Sequence, residues 1–136
     1  MKTAMVSAVA AGMFLLGVGA ATAQSWHEIP LMEPTGVAFV QGRYQFNPAG
    51  RNHGAFEWTG KLRDTSANDR HNVYMRVRVE GHGWVRYYGK QRQTVRMHHF
   101  NWDGAQQYTD DAEVQACRDL GTARLDNCSV PIHFKP

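Results

Sequence analysis

Residues 73–80 read Val73-Tyr74-Met75-Arg76-Val77-Arg78-Val79-Glu80. Val73, Met75, Val77 and Val79 alternate with Tyr74, Arg76, Arg78 and Glu80. A period of two sends the two sets to opposite sides of an extended chain, so this is a strand with one buried face and one wet face. The same period runs through residues 55–63, where Phe56, Trp58 and Leu62 alternate with Glu57, Thr59, Lys61 and Arg63. Residues 64–72 are turn-like. On the other side, Gly81-His82-Gly83 marks a turn, residues 84–88 a short strand and Gly89-Lys90 a second turn. Residues 94–102 form a further strand, with Val95 and Met97 on its apolar side. Residues 112–120 are read as a strand, and residues 130–134 as the last, with Val130, Ile132 and Phe134 on one face. Seven or eight short strands with turn signals between them predict an all-β chain, an antiparallel β-sandwich.

Residues 1–23 have a different composition. Lys2 precedes an apolar, Ala- and Gly-rich run, and Ala21-Thr22-Ala23 closes it. One positive charge, a short hydrophobic segment and a small-x-small ending predict a signal peptide cut after Ala23. The product is expected to be secreted and extracellular, with no membrane span after cleavage. Outside the reducing cytosol the two cysteines, Cys117 and Cys128, are expected to pair. Such a bridge would put their Cα atoms about 5–6 Å apart. Cys117 is out of phase with Val114 and Ala116, which calls for a bulge or an exposed clip.

Residues 24–54 divide from the domain expected over residues 55–136. Pro30, Pro34 and Pro48, with four glycines, punctuate the segment. Yet Trp26, Ile29, Leu31, Met32 and Phe39 give it more apolar surface than a tail leaves in water. Either it packs on its own domain, with residues 36–40 and 43–46 as strands, or a partner covers it. If a protein partner exists, this segment is the expected main contact, with Tyr74, Arg76, Arg78 and Trp84 as a secondary one.

The formal net charge of +3 hides two unlike halves. Residues 61–96 hold nine Lys or Arg against three acids, and residues 101–126 hold six acids against two Arg. If Tyr74, Arg76 and Arg78 face outward, and Arg96 and His98 do the same on a neighbouring strand, one basic, aromatic surface results. Arg, Tyr and Trp dominate interface energetics. The same types suit nucleic acid or a polyanionic envelope polymer. The competing reading is a solvated sheet face whose Arg stems cover apolar surface.

Catalytic signatures are sparse. Ser25, Ser66 and Ser129 sit in no Gly-x-Ser-x-Gly turn, and a disulfide would use both thiols. Asp110, Asp111 and Glu113 read as a solvated turn. The seven histidines form no zinc spacing, and His98 and His99 point to opposite faces of a strand. No metal or cofactor is expected. A site of Glu57, His98 and Arg76 or Arg78 would suit ribonuclease-type acid–base chemistry, in which Arg holds the phosphate. The expectation is nonetheless a protein that binds and does not catalyse.

The stretch Val114-Gln115-Ala116-Cys117-Arg118-Asp119-Leu120-Gly121, with Asp126-Asn127-Cys128, resembles the end of small secreted β-sandwich proteins of actinobacteria. There a strand, one Cys, a polar loop and a second Cys close the domain. The adaptor subunit of streptomycete umbrella toxin particles is in this size class. The resemblance implies an interaction module whose partner is another secreted protein, as adaptor in an antibacterial toxin complex. A small secreted nuclease or an enzyme inhibitor are the alternatives.

Overall fold

The computed structural model describes residues 25–104 and 108–136. The expected signal peptide lies outside the described residues. Nine strands follow one another: β1 (His27–Ile29), β2 (Val37–Phe46), β3 (Phe56–Asp64), β4 (Val73–Val79), β5 (Val85–Tyr88), β6 (Thr94–Asn101), β7 (Ala112–Arg118), β8 (Asn127–Cys128) and β9 (Ile132–Phe134). The described residues contain no α-helix; a single 3-10 turn spans Asn52–Gly54. All pairings are antiparallel. The first sheet has the order β1-β2-β3-β6, and the second β5-β4-β7-β8, with β9 also on β7.

The alternation in residues 73–80 becomes β4. Its Val73, Met75 and Val77 are fully buried and pack with Val114 and Ala116 of β7. Phe56, Trp58 and Leu62 of β3 close the same core from the first sheet. The buried Trp58 N–H donates to Asn101 Oδ1 (2.9 Å), and Asn101 Nδ2 donates to the Tyr87 hydroxyl (2.7 Å). A buried indole N–H left without a partner would cost about 1–3 kcal/mol, so this relay belongs to the core as much as the ring does.

Residues 24–54 supply two strands of the first sheet. The expected strands at 36–40 and 43–46 are one strand, β2, interrupted by a register shift between Val40 and Arg43. Gln41 has φ 53° at that bulge. The extra residue keeps Phe39 and Tyr44 on the inner face. Phe39 then lies across two glycines. A Cβ on Gly60 would sit 2.1 Å from Phe39 Cζ, and one on Gly42 would sit 2.6 Å from Cε1. The ring needs both positions empty of side chain.

Three crossovers carry the chain between the sheets, after β3, after β5 and after β6. Asp64 ties the first two together. Its Oδ1 accepts from Ser66 N (3.0 Å) and its Oδ2 from Arg92 N (2.9 Å). Cys117 and Cys128 are bonded, as expected, and face each other in the β7–β8 register. Their Cα atoms are 4.1 Å apart, closer than the expected 5–6 Å. Residues directly opposite at the close position of an antiparallel pair approach to about 4.5 Å. The bridge lies on the outer side of the second sheet, in a β4–β7 register without a bulge, and Cys117 is buried there, not exposed.

The last expected strand is shorter than its pattern. Pro131 separates β8 from β9, and Val130 is 82% exposed while Phe134 is buried. Val130 therefore does not share the core face with Phe134. Proline cannot donate to a ladder, which ends the pairing there.

Candidate functional site

The two outer sheet faces carry the residues that chemistry would use. On the second sheet, β4 presents Tyr74, Arg76 and Arg78. β5 answers with Tyr88 opposite Tyr74 and Arg86 opposite Arg76. β7 places Cys117, Gln115 and Glu113 on the other side. Trp84, just before β5, lies against both guanidinium groups, 4.5 Å from Arg76 and 4.6 Å from Arg78. Arg86 stacks on the Tyr74 ring at 4.7 Å.

Each of these cations has an acceptor or a carboxylate. Arg78 Nη2 donates to both Glu113 oxygens at 2.9 Å. Arg76 Nε donates to Gln115 Oε1 (2.5 Å), and Arg86 is 3.8 Å from Asp126. The Tyr74 hydroxyl donates to Asp126 Oδ2. Burial, and then the adjacent Asp126 carboxylate, push the Tyr74 phenol well above its ordinary range. It stays a donor throughout the physiological range. Tyr74 faces outward but is fully buried, because the 119–128 loop and Arg86 cover it. That loop borders an open hollow of about 810 Å³ rimmed by Arg86, Tyr88, Arg124, Leu125 and Asp126. Leu125 is 94% exposed there.

The first sheet carries the other site. Glu57, on β3, is buried and accepts from Gln45 Nε2 (2.6 Å) and Asn47 Nδ2 (3.2 Å). His98 Nε2, from β6, lies 2.6 Å from its second oxygen. Burial pushes the Glu57 carboxyl up, but the hydrogen bonds from Gln45, His98 and Asn47 together outweigh it and hold it below its ordinary value. His98 lies beside Phe100 (ring centroids 5.1 Å) and edge-on to Trp26 (6.5 Å). His99 points inward against Trp58 and Tyr87, where burial and the neighbouring His98 lower its pKa.

The expected acid–base partners Glu57 and His98 thus meet, across 41 residues of chain. Arg76 and Arg78 do not join them. They stand on the other sheet, so the single basic surface expected from Tyr74, Arg76, Arg78, Arg96 and His98 is two surfaces on opposite sides. Alternation tells whether a side chain faces out, but not from which sheet. Among the cations that share a face with Glu57 are Lys61 and Arg96, cross-strand partners on β3 and β6.

The acids of residues 110–113 separate. Asp110 and Asp111 donate their backbone N–H groups to Glu80, Asp111 also meets His133, and Glu113 pairs with Arg78. Among the described residues no group of three or more His, Cys, Asp or Glu is placed to hold a metal ion. No protein-family description, no curated protein and no solved structure matches the chain.

In the N-terminal segment, Ile29, Met32 and Phe39 are buried in the chain's own core, and Leu31 remains 57% exposed. The apolar surface that called for a cover finds it in the domain itself. Arg86, Gln115 and Asp126 complete the second face and were not singled out from the sequence. Gln115 alternates with Val114 and Ala116, so its outward position was readable. Asp126 lies in a loop without period, and only the fold brings it to Tyr74.

Proposed function

We propose that the chain is a secreted binding module that acts through the outer face of its second sheet on another protein, by contact and not by catalysis. The observation that carries this reading is Trp84 held against Arg76 and Arg78, beside Tyr74 under Arg86. These are the residue types that concentrate binding energy at protein interfaces. Here their rotamers are already held by Glu113, Gln115 and Asp126, so little side-chain freedom is left to lose on association. The exposed Leu125 and Tyr88 at the rim add apolar contact area. Secretion is supported by the leader-like residues 1–23 and by the Cys117–Cys128 disulfide. Among the described residues no helix is long and apolar enough to cross a membrane.

With Ile29, Met32 and Phe39 spent on the core, the N-terminal segment ranks below the sheet face as a contact. Affinity capture from culture supernatant tests this order, with the tagged protein and its Trp84→Ala variant side by side. Loss of cation–π contact lowers stability by only about 1 kcal/mol, so the variant stays folded. The expected result is a protein retained by the parent and lost by Trp84→Ala. Equal retention by both, or retention by neither, defeats the reading.

A further inference from the structure

Lys61 on β3 and Arg96 on β6 stand directly opposite each other on the outer face of the first sheet. Like charges in direct cross-strand register destabilise a sheet. Among the described residues neither side chain has an ion-pair partner. The nearest acid along β3 on this face, Glu57, lies four residues away, roughly 13 Å in an extended strand. Its carboxylate is occupied by Gln45, Asn47 and His98. Arg43 on the same face has its own opposite number, Glu28 of β1. The repulsion between Lys61 and Arg96 is therefore left standing by the fold.

A cleft of about 400 Å³ opens at this pair, lined by Gln41, Thr59, Gly60, Lys61, Arg96 and His98. Every polar side chain that lines it can donate: an ammonium, a guanidinium, a hydroxyl, a side-chain amide and an imidazole. The imidazole is oriented, because Glu57 engages Nε2 and leaves Nδ1 as the unengaged nitrogen. Phe100 and Trp26 flank the same imidazole.

We propose that this cleft binds a phosphate ester of the nucleotide type. The phosphate sits between Lys61 and Arg96, and the base lies on the His98, Phe100 and Trp26 rings. A guanidinium matches two phosphate oxygens and an ammonium adds a point charge. A phosphate cancels the repulsion that no described residue cancels. The cleft exceeds the volume of inorganic phosphate alone, and aromatic rings accept a base with little regard to its identity. Free nucleotide and the phosphodiester of a single strand share this chemistry.

Titration of the full chain, read by tryptophan fluorescence and by thermal melting, uses three probes: inorganic phosphate, adenosine monophosphate and an eight-residue oligoadenylate RNA. The variants are Arg96→Glu, Lys61→Ala and Trp84→Ala. Binding is expected for the monophosphate or for the RNA, with melting raised by the ligand. A free-nucleotide site binds the two equally per site, and a strand site favours the RNA, with a salt dependence that weakens in Lys61→Ala. Losing one charged contact should weaken binding about tenfold or more. Arg96→Glu should abolish binding while melting higher than the parent, because it pairs with Lys61. Trp84→Ala, on the opposite sheet, should bind as the parent does. The proposal is overturned if neither the monophosphate nor the RNA binds, if Arg96→Glu binds like the parent, or if Trp84→Ala abolishes binding.

Discussion

The two outer faces are both basic and both aromatic, yet they differ in how their charges are answered. On the second sheet Arg76, Arg78 and Arg86 meet Gln115, Glu113 and Asp126, and their guanidinium groups rest on Trp84 and Tyr74. On the first sheet Lys61 faces Arg96, and the buried carboxylate nearby serves His98. An array whose charges are satisfied is a rigid platform, suited to a surface as large as another protein. A pair whose charges are unsatisfied leaves room for a ligand that brings the missing charge. Residue composition makes the faces look alike; pairing makes them different.

Three experiments break or sharpen that contrast, in falling order of effect. Gly60→Ala strikes the first sheet from within. Its Cβ would overlap Phe39, and overpacking a filled core costs typically 1–3 kcal/mol and occasionally more. We expect about 3 kcal/mol by urea denaturation, with hydrogen exchange accelerated across β2 and β3. A loss under 1 kcal/mol would mean that Phe39 can turn away freely.

Cys117→Ser with Cys128→Ser strikes the second face. A bridge closing a loop of this length contributes about 2–3 kcal/mol in the chain-entropy model. The loop that covers Tyr74 should loosen, so partner capture should fall while nucleotide binding on the other sheet persists. Parallel loss of both activities would show that the faces are not independent.

Glu57→Gln has the smallest effect and a pH signature. The Glu57 carboxyl is held below its ordinary value in the folded chain. The unfolded chain therefore binds the proton first, at about pH 4. Folded stability from this group is full above that value, and it is lost as pH falls through the lower folded value. The parent should weaken on acidification through this window more than Glu57→Gln does. Identical acid profiles of the two proteins, followed by circular dichroism, would remove Glu57 as a source of the dependence.

Much of the fold could be read locally. Val73, Met75, Val77 and Val79 announced a buried strand face, Phe56, Trp58 and Leu62 announced another, and both are core. The phase of Cys117 left a bulge and an exposed clip open, and the strand register decided against both. Less could be read of the sites. Glu57 and His98 were recognisable as chemistry-bearing groups, but grouping them with Arg76 or Arg78 in place of Lys61 and Arg96 needed the strand order. Ile29, Met32 and Phe39 carried their hydrophobicity openly, while what covered them depended on where β1 and β2 paired.

Alternation and turn residues are properties of neighbours along the chain, and from them the sequence by itself determined an all-β protein whose strands have one buried and one wetted face; the leader-like residues 1–23 and the two cysteines pointed to the disulfide. Which strands share a sheet depends on contacts between residues far apart in sequence, whose free energy is decided by the packing of the whole core. The tertiary structure alone therefore placed Trp84 against two arginines on one side of the molecule and set Lys61 opposite Arg96 on the other.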